Sequence, residues 1–228
     1  MMAGSMAGKL LALFLMLINL GQSTIARYEE EMNLGGVLFL VNREYTVSSS
    51  YKPEDLVKPN VECTYPDTVM RKEAAEALEE MFAAAKAEMG YDMIAVSGYR
   101  SYGQQASIYE RKVENVGKKK AQLLVAPPGA SEHQLGLAMD LGTPKNQKLN
   151  EAFGDTAAGA WVQENCYRFG FIIRYKEEWT EITGYAYEPW HVRYVGKEHA
   201  VRIQELDIPL EYYIDTLRQV QYDEVSNW

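Results

Sequence analysis

In residues 137–142, LAMDLG, three large apolar side chains (Leu137, Met139 and Leu141) alternate with Ala138, Asp140 and Gly142. A period of two specifies a strand with one apolar face. It also sends the carboxylate of Asp140 out of the opposite face. A fold built around this strand keeps core on one side and places an acid on the other.

The neighbouring segments predict what surrounds it. Residues 71–89 are alanine-rich and repeat Leu78, Met81, Phe82 and Ala85 at helical spacing, the pattern of an amphipathic helix. MIAVSGY at 93–99 then reads as a strand, and SYGQQASIYERKVENVG as a second helix capped by Ser101. A third helix over 157–169 stops at Gly170, a strand follows at FIIRY, another at WHVRYVG, and a helix at KEHAVRIQEL. Near the start, VLFLVNREYTV (37–47) reads as a strand, and the proline- and serine-bearing stretch after it as an extended arm. Helices and strands mix without regular alternation and most connections are short. The expected class is therefore α+β, a single domain with a central, mainly antiparallel sheet flanked by helices.

At 228 residues, 47% hydrophobic and 24% charged, the chain has ordinary globular composition. Its first 26 residues carry one charge, Lys9, an apolar run from Leu10 to Leu20, and Thr24 and Ala26 in the small-x-small pattern of a cleavage site. They are expected to be a secretory signal, with the mature protein secreted. The apolar run is about half of the ~20 residues a spanning helix needs, so membrane attachment is expected only if the segment is retained. An arm over 27–60, a main domain over 61–210 and a closing helix and tail over 211–228 complete the expected organisation.

Net charge is −9, and the only basic cluster is GKKKA at 117–121. Nucleic acid, whose binding depends on gathered Lys and Arg, is not an expected partner, and a monomer is expected. Cys63 and Cys166 are an even pair that an exported protein is free to bridge. Spacing does not decide whether they do.

The chain has three histidines. His133 lies in the loop entering the strand of Asp140, and His191 opens the WHVRYVG segment. Two imidazoles and a carboxylate suit Zn²⁺ with a fourth position left for water; a two-His, one-carboxylate set also serves non-haem Fe(II), though export disfavours ferrous iron. Glu188 stands three residues before His191 with Pro189 between, placed to act as a general base. His199, inside a helical stretch, reads as an ordinary hydrogen-bonded side chain. The H-E-x-x-H zinc signature is absent.

SGYRS at 97–101, S-E-H-Q-x-G-x-A-x-D at 131–140 and E-P-W-H-x-R-Y-V-G at 188–196 together resemble the signature blocks of the VanY-type D-alanyl-D-alanine carboxypeptidases, zinc peptidases that trim peptidoglycan stems. The likeness extends over about residues 37–206. It implies a hedgehog/DD-peptidase-like fold, His133, Asp140 and His191 as zinc ligands, and Glu188 as catalytic base. It also implies that Arg100 anchors the substrate's terminal carboxylate and that Ser131 and Gln105 hydrogen-bond substrate. The implied activity is zinc-dependent removal of the terminal D-alanine from peptidoglycan stem peptides, which places the secreted protein at the cell wall or envelope. An L,D-carboxypeptidase on tetrapeptide stems and a non-catalytic zinc-bearing wall-peptide module are the alternatives.

Overall fold

The structure is a computed structural model that describes residues 5–17 and 22–225. In chain order its helices and strands are α1 (Met6–Leu17), α2 (Gln22–Met32), β1 (Leu56–Val57), β2 (Met70–Arg71), α3 (Lys72–Met89), β3 (Ile94–Ser97), α4 (Tyr102–Val116) and α5 (Lys118–Leu124). There follow β4 (Ala138–Gly142), α6 (Ala157–Asn165), β5 (Phe171–Ile173), α7 (Thr180–Thr183), β6 (His191–Tyr194), α8 (Lys197–Leu206) and α9 (Leu210–Val225).

Four strands form the central sheet in the order β3-β4-β6-β5, with every neighbouring pair antiparallel. The sequence LAMDLG is its second strand, and all five residues of β4 are buried. Leu137, Met139 and Leu141 join Leu78, Met81, Phe82 and Ala85 of α3 in one core, so the apolar face of the strand and the apolar stripe of the helix cover each other. Burying a side chain of that size stabilises by ~1.5–3 kcal/mol. The register sets Asp140 opposite both Ser97 on β3 and His191 on β6. Directly opposed residues point to the same face of a sheet, so this pairing alone brings the carboxylate and an imidazole together away from the core.

α4 starts where expected: the Ser101 side chain accepts from Gln104 N–H while the Gln104 side chain accepts from Ser101 N–H, a complete capping box. α6 runs on as a 3-10 turn, Cys166–Phe169, before Gly170 ends it.

A second core joins Leu13 and Leu17 of α1 with Tyr28 and Met32 of α2 and with Leu210, Ile214 and Leu217 of α9. The region expected as a leader therefore includes α1, and Lys9 pairs with Asp207 at 3.1 Å. The end of its apolar run, 18–20, lies outside the described residues, as do the last three residues of the expected tail. No described helix is long and apolar enough to cross a membrane.

One expected strand does not form. In 37–47 Leu38, Leu40, Val41 and Val47 are buried, but the backbone runs through turns. The Asn42 side chain accepts from the N–H of both Glu44 and Tyr45, and the carbonyls of Val37 and Phe39 accept from the Arg193 guanidinium. With side chains satisfying these groups, the apolar run has no need of a strand partner. Cys63 and Cys166 are free thiols; Cys166 is buried in the main core, where loss of water pushes its thiol up to about 12.

Candidate metal centre and cleft

Asp140 projects from β4 and His191 from the first position of β6. His133 arrives from a 3-10 turn, Glu132–Leu135, that directly precedes β4. The turn closes at Gly136 with φ 68°, a left-handed conformation that L side chains rarely adopt, and a Cβ there would lie 2.9 Å from Leu56 Cδ2. Gly98, after β3, is equally constrained, because an added Cβ would sit 2.4 Å from the carbonyl oxygen of Val69. Its own carbonyl accepts from Nδ1 of His133 at 2.7 Å.

That hydrogen bond decides the ring's tautomer. A carbonyl only accepts, so the His133 proton sits on Nδ1 and the lone pair of Nε2 faces inward. His191 is held the other way round: Nε2 lies 3.1 Å from Glu132 Oε2, leaving Nδ1 turned inward. His133 Nε2 is 3.3 Å from Asp140 Oδ2, and His191 Nδ1 is 3.2 Å from Asp140 Oδ1. The three ligating atoms fall within 4.8 Å of one another. His133 Nε2 and Asp140 Oδ1 are buried with no hydrogen-bond partner among the described residues. A cation between the three would supply the partner that the two orphaned atoms lack, and two imidazoles with one carboxylate are donors that Zn²⁺ accepts. The residues fit the metal.

Charge follows from these contacts. Burial pushes both histidines down, but the Asp140 and Glu132 carboxylates beside His191 reverse the direction and raise it to about 9. His133, beside Arg100, stays lowered at about 4. Asp140 is held well below the usual carboxylate range: its burial alone would raise it, and the adjacent histidines more than offset that.

Glu188 comes from the loop before β6, where His191 N–H donates to the Glu188 carbonyl at 3.1 Å and Glu188 N–H to the Tyr175 carbonyl at 2.9 Å. Its Oε2 is 3.7 Å from His191 Nδ1. Burial raises this carboxyl to about 7, with His191 opposing and Asp140 adding to the shift. Glu188 thus borders the centre while remaining outside the group of three.

A cleft of about 230 Å³ opens over these residues and is lined also by Arg100, Gln105, Ser131, Tyr175, Tyr185 and Trp190. All seven residues singled out in the sequence reach this one cleft. Arg100, anchored by its N–H to the His133 carbonyl, brings Nη2 to 3.6 Å from Asp140 Oδ2. Gln105 is nearly fully buried; its amide nitrogen donates to the Ala126 carbonyl at 2.7 Å, and its Oε1 has no partner among the described residues. His199 is far from this chemistry, bonded to the Tyr213 hydroxyl and Glu31.

Sequence reasoning missed Glu132, Arg174, Arg193 and Tyr175. Glu132 sits inside the SEHQ block, yet an acid between a serine and a histidine reads as part of a polar loop. The Tyr175 ring lies tilted 47° to that of His191 with centroids 4.9 Å apart, and in sequence it looks like the end of a strand.

Known proteins resemble the chain over most of its length. A Bacillus subtilis (strain 168) protein named "Putative carboxypeptidase YodJ" is 50% identical over 84% of this chain and 72% of its own. Among solved structures, the LdcB LD-carboxypeptidase, studied for peptidoglycan recognition, matches with a TM-score of 0.75 at 51% identity, covering 81% of this chain and 88% of that one. A vancomycin-resistance D,D-pentapeptidase VanY, in complex with Zn(II), matches with a TM-score of 0.65 at 36% identity, covering 78% and 98%. The family model described as VanY, D-alanyl-D-alanine carboxypeptidase, matches residues 67–197 and so spans α3 to β6 with every residue of the metal group. A sheet whose register pairs Asp140 with His191, beneath a cleft that carries Arg100 and Glu188, is thus the scaffold of a peptidoglycan carboxypeptidase, and the chain belongs to the VanY family.

Proposed function

We propose that the chain is a zinc carboxypeptidase that releases the C-terminal D-alanine of peptidoglycan stem peptides outside the cytoplasm. The observation that carries this reading is the convergence of His133 Nε2, Asp140 and His191 Nδ1, two of them with unpartnered buried atoms, next to a carboxyl that stands outside the set. A wall-peptide module with no chemistry to perform has no use for Glu188 in that place.

His133, Asp140 and His191 would hold the metal, whose chemistry is to polarise the scissile carbonyl and to lower the pKa of water from 15.7 toward ~7. Glu188 Oε2 takes the proton of the water that attacks the carbonyl carbon. As the C–N bond breaks, the same carboxyl delivers that proton to the departing amine of D-alanine. A group near neutral in pKa is suited to both transfers. Arg100 supplies a planar fork for the terminal carboxylate, while Gln105 Oε1 and Ser131 offer hydrogen bonds to the peptide. The 3.6 Å approach of Arg100 to Asp140 favours a second role as well, since a cation so close to the centre also meets charge developing on the carbonyl oxygen.

The terminal residue released is D-alanine whether the bond before it is D,D or L,D. The sequence blocks imply the D,D-carboxypeptidase; the greater likeness to the LdcB LD-carboxypeptidase favours the L,D bond of tetrapeptide stems. Mass spectrometry of pentapeptide and tetrapeptide stems incubated with the zinc-loaded protein tests this directly. Loss of one alanine from either supports a carboxypeptidase and names its bond; no cleavage of either rejects the reading.

A further inference from the structure

We propose that Glu132 is the positioning residue for His191, and that the C-terminal helix α9 reaches the metal centre through it. The inference rests on the zinc reading above and goes beyond it.

Glu132 has no exposed side-chain surface. One oxygen, Oε2, faces His191 Nε2 at 3.1 Å. The other, Oε1, accepts from Arg174 Nε at 2.8 Å and from Arg193 Nη1 at 2.7 Å. Arg174 is itself buried, and its remaining nitrogens donate to both oxygens of Glu211 on α9, at 2.9 and 2.6 Å. Arg193 Nη2 donates to the carbonyls of Val37 and Phe39, 2.9 Å each. Segments on either side of the region matched by the family, Val37–Phe39 before it and Glu211 after it, therefore meet at one carboxylate.

The arrangement does something a mere charge cluster does not. His191 presents Nδ1 to a metal only if its proton stays on Nε2. A carboxylate oxygen facing Nε2 accepts that proton's hydrogen bond and has none of its own to give. Two guanidinium groups donate to the other oxygen and neutralise the buried charge of the acid. They also fix its rotation. His133 is treated alike by a different device, the Gly98 carbonyl. Both rings thus have their outer nitrogen bonded to a group that accepts and does not donate.

Glu132→Gln keeps the shape and breaks the logic. Whichever way the amide turns, its NH₂ meets either the His191 N–H or the guanidinium N–H groups, donor against donor. The test is zinc affinity by competition with a chelating dye for the wild type, Glu132→Gln and Glu211→Gln, with thermal melts of each metal-free protein. Long-range ¹⁵N–¹H spectra of the zinc-loaded wild type complete it, since three histidines give few signals. We expect Glu132→Gln to bind zinc ~10–100-fold more weakly, the loss typical of removing a ligand's orienting partner, and Glu211→Gln to weaken it by a smaller factor. The wild-type spectrum should show His191 with a protected Nε2–H and its Nδ1 on the metal. A purely structural network predicts lower melting temperatures with zinc affinity unchanged, and that result overturns the proposal. Unchanged affinity in Glu211→Gln alone removes α9 from it. Should Glu132→Gln fail to fold, a wild-type spectrum lacking the protected Nε2–H overturns it independently. A wild type that binds no zinc overturns the metal reading itself, an outcome distinct from equal binding by wild type and variant.

Discussion

The Arg100 guanidinium, just after β3, approaches Asp140 of β4 with Nη2 3.6 Å from Oδ2. The contact is too long for a strong hydrogen bond, and Arg100 Nε is buried with no partner among the described residues. Such a fork has donors left to give to a ligand. If the ligand is the terminal carboxylate, Arg100→Lys keeps the charge, loses the two-pronged geometry and lowers kcat/KM. Amidating the substrate then harms the wild type badly and the variant little, because truncating one partner of a buried charge pair costs ~2–5 kcal/mol and removing the second adds less. The measurement is a cycle of kcat/KM over both enzymes and both substrates. Additive losses would place Arg100 at the scissile carbonyl oxygen instead.

Glu188 and the three converging residues should separate by what their loss removes. His133→Ala, Asp140→Ala and His191→Ala are each expected to lose zinc, seen by elemental analysis of the dialysed protein. Glu188→Gln is expected to retain it while hydrolysis slows by ~10²–10⁴-fold, the usual cost of losing a general acid or base. Full turnover in Glu188→Gln would reduce that side chain to a neighbour of the site.

Gly136 tests how the turn serves the centre. Its φ of 68° and the 2.9 Å approach of a would-be Cβ to Leu56 mean that Gly136→Ala strains the turn carrying His133. A left-handed non-glycine residue costs ~1–2 kcal/mol. Urea unfolding should show a loss of at least that size, and zinc affinity should fall with it because the strain lies three residues from a ligand. Unaltered stability would mean the turn relaxes without cost.

The parts of this picture that could be read in the sequence are those set by local spacing. Leu137, Met139 and Leu141 announce β4, the stripe from Leu78 to Ala85 announces α3, and Ser101 announces the start of α4. The polar residues of the site were legible because His133, Asp140, Glu188 and His191 lie in short blocks. What stayed hidden depends on distant partners. Glu132 meets Arg174 and Arg193, which are 42 and 61 positions away. The apolar run at 37–47 reads as a strand because nothing nearby reveals that Arg193, 156 positions from Val37, satisfies its carbonyls. Buried charge clusters of this kind leave no periodic trace.

Zinc binding should depend on pH through His191. In the metal-free protein its pKa is raised from 6.5 to about 9 by the Asp140 and Glu132 carboxylates beside it, which outweigh burial. At neutral pH the ring is therefore doubly protonated, and a ligand must give up its proton before it binds. Zinc affinity is accordingly expected to rise with pH, about tenfold per unit, until about 9, and to level off above it. The stability of the metal-free form moves the opposite way. A raised folded-state pKa contributes stability that is complete below the unfolded value of 6.5 and lost as pH climbs through about 9. The two trends reinforce each other in one observable: the gap in melting temperature between zinc-loaded and metal-free protein should widen from pH 6.5 to 9. Calorimetry in buffers of different ionisation enthalpy should find about one proton released per zinc bound at pH 7. Release of no proton, with a melting gap independent of pH, would show that His191 is already neutral without the metal and that Asp140 and Glu132 do not hold its proton.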